Sequence, residues 1–128
     1  KTIELDYWER FNAEDGITDE AVAASAQRFR KEFDELETIL AKQEFLFFDS
    51  LSLLDVAWFV YVTRMKLASY PIEILHPCVE SWYETLKSRP VFSEEAQVPD
   101  QVRAQLAERR AREANEGKSL VQLAGFSA

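Results

Sequence analysis

Ser52-Leu53-Leu54-Asp55-Val56-Ala57-Trp58-Phe59-Val60-Tyr61-Val62 is the stretch on which the fold turns. Val, Phe and Tyr favour strands, so an extended segment competes for it locally. The first four residues decide otherwise. Ser52 and Asp55 stand three apart, as in a capping box: the Ser52 hydroxyl can accept from the Asp55 amide while the Asp55 carboxylate reaches back to the Ser52 amide. Leu51 and Val56 flank the box in the positions of a hydrophobic staple. The pattern continues through Thr63-Arg64-Met65-Lys66-Leu67 to the break at Ser69-Tyr70-Pro71, which predicts a helix. Its residues 56–62 are apolar on every face, and such a helix is one surrounded by others. It is therefore expected to be the axis of the domain.

Upstream, Val22, Ala26, Phe29, Phe33, Leu36 and Leu40 recur at spacings of four and three. That heptad seam predicts a long helix over about 18–43, buried along one stripe as in an antiparallel bundle. Thr18 is its N-cap, with Asp19 and Glu20 where the helix dipole favours negative charge. Before Gly16, Ile3, Tyr7 and Phe11, with Trp8 alongside, read as an amphipathic helix or the tail of one. Phe45 to Phe48 read as an apolar turn or a short extended piece. Downstream, His76-Pro77 opens a helix with Pro at its first position, and Val79, Trp82, Tyr83 and Leu86 make its apolar face. Arg89-Pro90 stops it. A turn from Ser93 leads to a weakly amphipathic helix from Pro99 to about Glu116, closed by Gly117. The tail from Ser119 to Phe126 has the apolar side chains to dock on the body. The expected product is all-α: an orthogonal or antiparallel bundle of five to six helices around the central one. Residues 1–96 form the bundle, and 97–128 form an extension packed on the same domain.

Composition agrees. The 128 residues include only three Gly and four Pro, too few turn-formers for an all-β fold, against nine Phe, four Tyr and three Trp to fill a core. One Cys excludes an internal disulfide framework and fits a reducing, cytoplasmic setting. The longest apolar run, residues 51–62, is too short for a membrane span and carries Asp55. The net charge of −8 is concentrated early, with six Lys/Arg against thirteen Asp/Glu in residues 1–50. Such a surface repels phosphate backbones, and the basic cluster Arg109, Arg110 and Arg112 alternates with Glu108, Glu113 and Glu116 as a self-paired helix face. Nucleic acid is not an expected partner. The chain opens on Lys rather than Met, which raises the expectation of a domain cut from something longer.

No catalytic constellation stands out. His76 is the only His, which rules out a two-His metal site, and its place before Pro77 makes it a helix-opening residue. Cys78 reads as a packed, inert thiol, although a first-turn position can lower a thiol pKa. Glu94 and Glu95 are neighbours on a surface turn rather than an acid–base pair. Asp55 reads as a buried cap rather than a reactive carboxylate. No residue is assigned as catalytic or metal-ligating.

The run Phe45-Leu46-Phe47-Phe48-Asp49-Ser50-Leu51-Ser52-Leu53-Leu54-Asp55-Val56-Ala57 resembles the segment of glutathione S-transferases that enters the central helix of their helical C-terminal domain. The stretch from Phe33 to Leu40, with His76-Pro77, Trp82-Tyr83 and Arg89-Pro90-Val91-Phe92, is similar to family landmarks in order and spacing. The likeness covers about residues 18–95. Phe48 stands where the family usually has Gly, which puts the turn before Asp49 in question, and Leu54 stands where Ala is usual.

The resemblance implies half of an enzyme. The other half, a thioredoxin-like domain that binds glutathione as co-substrate and activates its thiol, has no counterpart in these residues, so this chain alone is expected to be inactive and to bind no cofactor. A helical domain of this family contributes to a pocket for a hydrophobic small-molecule electrophile and to a homodimer interface. Tyr7, Trp8 and Phe11, with Tyr61 and Arg64, are the residues placed to line such a pocket; plain core is the other reading of that aromatic stripe. Two other classes remain open: a non-catalytic interaction module, as the fold serves in translation factors and synthetase complexes, and a free-standing bundle that binds apolar ligands.

Overall fold

A computed structural model describes residues 17–126. They form seven helices: α1 (Asp19–Leu40), α2 (Leu53–Leu67), α3 (Ile72–Leu75), α4 (Pro77–Lys87), α5 (Pro90–Glu95), α6 (Asp100–Asn115) and α7 (Leu120–Ala124). The domain is all-α, and no strand occurs among the described residues. The expected opening helix, with Tyr7, Trp8 and Phe11, lies outside them. The three segments beyond the four helices expected within these residues are short: the single turn α3; α5, which Pro90 opens after ending α4; and α7, where the tail from Ser119 coils against the body.

Heptad spacing in α1 does what it predicts. Ala26, Phe33 and Leu36 are buried and Phe29 and Leu40 pack against the same core, while the charged faces stay in water. Thr18 caps the helix, its hydroxyl accepting from Ala21 N at 3.1 Å. Helix α4 crosses behind, burying Val79, Trp82, Tyr83 and Leu86. Its first turn is capped from far away: Glu37 of α1 accepts from the amides of Cys78 (2.8 Å) and Val79 (2.9 Å). Helix α7 lies on α1, where the Gln27 side-chain amide donates to the Ala124 carbonyl.

Two turns use left-handed residues that are not glycine. Phe48 has φ +62° and Ser69 φ +71°. Ser69 closes α2 in a Schellman motif, with Tyr70 N donating to Met65 O (2.9 Å) and Ser69 N to Lys66 O (3.1 Å). Gly117 and Gly125 end α6 and α7 in the same way, at φ +72° and +69°. Phe48 sits in the tight turn formed by the isolated bridges Phe45–Phe48 and Phe47–Ser50. The turn is thus kept where the family has Gly, in a conformation that costs an L-residue about 1–2 kcal/mol. The Phe48 ring is 66% exposed and gains little from burial. Phe48→Gly is expected to raise stability by about 0.5–1 kcal/mol, the strain relieved less the extra chain entropy of glycine. A lower urea midpoint for that variant would show that the ring, not the backbone, matters there.

Helix α2 departs from expectation. It buries one stripe, Asp55, Phe59 and Val62, with Trp58 and Met65 packed against the core. The opposite side is open: Leu53 is 86% exposed, Leu54 and Tyr61 48%, Val60 41% and Val56 39%. Leu51 and Val56, the staple pair, are both more than a third exposed. Apolarity on every face signals the need for cover and does not say that the same chain supplies it.

Candidate functional site

Asp55 opens α2 at the centre of a fully buried polar node. Its Oδ2 accepts from Ser52 N (3.0 Å) and from the Ser52 hydroxyl (2.8 Å), within a capping box. Its Oδ1 accepts from Leu46 N (2.9 Å) and Trp82 Nε1 (3.0 Å). The carboxylate therefore ties together the turn before α2, the start of α2 and the middle of α4. Desolvation pushes its pKa up, but the hydrogen bonds from Leu46, Trp82 and Ser52 outweigh that and hold it below the ordinary carboxylate value. An ionised group with its lone pairs so engaged, and no exposure to solvent, has nothing left for proton transfer to a substrate.

A second buried node joins α1 to the α3–α4 junction. His76 is fully buried, and its Nε2 lies 2.8 Å from the Tyr70 hydroxyl. Burial keeps the Tyr70 phenol protonated well above its usual range, so the pair shares one hydrogen bond whose direction is set by the imidazole tautomer. Nδ1 faces Asp34 Oδ1 at 3.4 Å without a hydrogen bond. Burial lowers the His76 pKa, opposed by the charges of Asp34 and Glu37. The neutral ring packs against Phe33, centroids 5.5 Å apart, as part of the core. Cys78 is half-buried, and its thiol pKa is raised by the hydrogen bond to Glu37, by burial and by the Glu37 charge. A thiol so held is a poor nucleophile. Among the described residues, no group of three or more His, Cys, Asp or Glu side chains could hold a metal ion.

A concavity lies elsewhere. A cavity of about 850 Å³ opens between the start of α1, the C-terminal end of α2, α6 and α7. Val22, Leu67, Leu106, Leu120 and Leu123 give it apolar walls. Arg64, one turn before the end of α2, stands on its border, as do Arg109, Arg110 and Arg112 of α6 and Lys118 beyond it. Helix α6 buries none of its residues. It is tied down through Arg110, whose guanidinium donates to the terminal carbonyls of α2 at Lys66 (3.1 Å) and Leu67 (2.6 Å). Of the residues read from sequence as pocket-lining, Arg64 borders this cavity. Tyr61 does not: its ring lies against Trp58 (5.6 Å) and Phe29 (6.3 Å) on the surface of α2. Tyr7, Trp8 and Phe11 are outside the described residues. Sequence reasoning passed over Leu106, Leu120 and Lys118 as lining groups, because they reach the cavity from segments with no signal linking them to α2.

Among the described residues, no helix is long and apolar enough to cross a membrane. No curated protein and no solved structure matches the chain. Residues 19–85, just over half of it, match the family model of the glutathione S-transferase C-terminal domain. The matched span runs from the first turn of α1 to the last part of α4 and includes both buried nodes and the whole of α2. On that match, and on a helical architecture that agrees with it, the chain belongs to the family of glutathione S-transferase C-terminal domains.

Proposed function

We propose that this chain is the helical half of a glutathione-dependent transferase, and that it supplies apolar walls for the electrophile while a thioredoxin-like half supplies glutathione and the group that activates its thiol. The observation that carries the reading is the state of α2: a helix apolar on all sides, covered on one, with Leu53, Val56, Val60 and Tyr61 left open. A second domain against that face would complete its burial. It would also stand beside the cavity bordered by Arg64, at the end of the same helix. This domain's share of catalysis is then positioning and exclusion of water, since its buried ionisable groups are committed to structure. Assembly as a homodimer in the cytoplasm belongs to the same proposal. The open face also favours one other reading, a non-catalytic interaction module in which α2 receives a different protein.

The test compares this chain with the longer protein that contains it, using a chromogenic aryl halide and glutathione. Turnover is expected from the longer protein alone. Equal turnover by the 128 residues would place the thiol-activating group here and overturn the division of labour. An upstream body with no thioredoxin-like fold would favour the interaction module.

A further inference from the structure

The buried His76 ring reaches, through Tyr70, the last segment of the chain. Tyr70 stacks on His76, the rings 8° from parallel with centroids 5.7 Å apart, and meets the Phe126 ring edge-on at 5.6 Å. Arg30 of α1 places its guanidinium over the same Phe126 ring, 5.1 Å from the centroid. Phe126 is buried among these contacts. Helix α7 has only five residues, too few to stay coiled without tertiary support. Its order therefore depends on what holds it to α1 and to Tyr70.

Both groups that grip the Phe126 ring respond to charge on His76. A neutral imidazole carries one N–H, and the tautomer chooses which partner donates between Nε2 and the Tyr70 hydroxyl. An imidazolium carries two, so Nε2 has to donate and the phenol proton has to find another acceptor. Nδ1 would donate toward Asp34 Oδ1, 3.4 Å away on a side chain 62% exposed. That carboxylate is too well solvated to offset a cation that has no access to water itself. Burial lowers the His76 pKa; Asp34 and Glu37 oppose the shift and Arg30 adds to it, so a charged ring and Arg30 repel each other. On the flanking elements, Glu73 of α3 is exposed, Cys78 of α4 turns to Glu37, and Glu80 is paired with Lys66. Residues 119–126 contain no ionisable side chain.

We propose that His76 is an acid-sensitive latch for the C-terminal tail: its protonation forces Nε2 to donate to Tyr70 and repels Arg30, and α7 with Phe126 comes away from α1. With the tail in place the ring ionises below its ordinary 6.5, and with Phe126 lifted and water at the Tyr70–His76 pair it returns toward that value. The released form then binds more protons, so release is favoured as pH falls below about 6.5.

Hydrogen exchange of the Leu123, Gly125 and Phe126 amides, each bonded to a carbonyl between Ser119 and Gln122, reads the release once the intrinsic rate is divided out. Their opening constant is expected to rise several-fold between about pH 7.5 and about pH 5.5, with a ceiling of about 10-fold for a group that ionises near 6.5 only when released. In His76→Gln, which keeps a polar group for Tyr70 and does not titrate, the rise should vanish. A rise that survives the substitution would make a carboxylate the sensor and overturn the latch. Tail amides that ignore pH while those of α1 respond would overturn it too, because His76 would then act only through unfolding of the whole domain. The reciprocal measurement needs no stable His76 variant. Removing the latched ring with Phe126→Ala should move the His76 titration, followed by its Cε1 proton resonance, up toward 6.5. A titration that stays where it was would show that the tail and His76 are not coupled.

Discussion

Asp55→Ala is expected to leave the chain unable to hold its fold, or to lower its stability by about 4 kcal/mol or more. The amides of Leu46 and Ser52 and the indole N–H of Trp82 would lose their common acceptor, and each stranded buried donor costs about 1–3 kcal/mol. Total stabilities of domains this size are only about 5–15 kcal/mol. Urea unfolding followed by tryptophan fluorescence reads the loss, and an unfolding free energy within about 1 kcal/mol of the parent's would show that the node does not hold α2 to α4. Asp55→Asn keeps the shape but turns one acceptor into a donor facing donors, so it too should destabilise. Acid separates the charge from the shape. The folded-state pKa of Asp55 lies below the ordinary 3.8. The stability due to the carboxylate is therefore present above about pH 3.8 and is lost as pH falls through the lower folded value. The gap between parent and Asp55→Asn should accordingly narrow in strong acid and nowhere else.

Phe33→Ala is expected to cost about 3–5 kcal/mol, the usual loss for emptying a buried aromatic site. Phe33 has no solvent exposure, and its ring meets Phe29 at 5.8 Å, Trp58 at 5.9 Å, Tyr70 at 5.3 Å and His76 at 5.5 Å. It is the point at which α1, α2 and the α3–α4 junction touch one another, so the space left cannot be filled by a shift of one side chain. Phe33→Leu should cost less, under about 1.5 kcal/mol, because most of the volume stays. If alanine and leucine at this position gave the same midpoint, the site would be collapsible and the aromatic cluster would not be what holds these helices together.

What the sequence disclosed was local. The Ser52–Asp55 spacing, the α1 seam, the Pro77 start and the Gly117 stop each lie within a turn or two of the structure they specify, and each is found where the spacing places it. What it withheld was everything that depends on partners distant along the chain. Ser52 as a partner of Asp55 is three residues off and was legible, whereas Leu46 is nine away and Trp82 twenty-seven. Glu37 looks like one more charged residue on α1, yet it caps a helix forty-one residues on. The start of α7 was also written locally: Ser119 and Gln122 form a capping box, Gly125 ends the helix, and only the shortness of the segment hid it. The exposed side of α2 could not be read at all, since a uniformly apolar helix has no periodicity to say which side meets its own chain. The cavity was invisible for a related reason, as its walls come from four helices far apart in sequence.

The manner in which α6 is attached has a consequence for how the molecule breathes. A helix with no buried residue, pinned to the body through one arginine fork on two carbonyls, can swing away without exposing the hydrophobic interior. Its amide protons should therefore trade with solvent through small local openings, while those of α1 and α4 wait for the entire domain to come apart. The floor of the cavity would be rigid and its roof hinged, so admission to it is governed by a strut and not by the core.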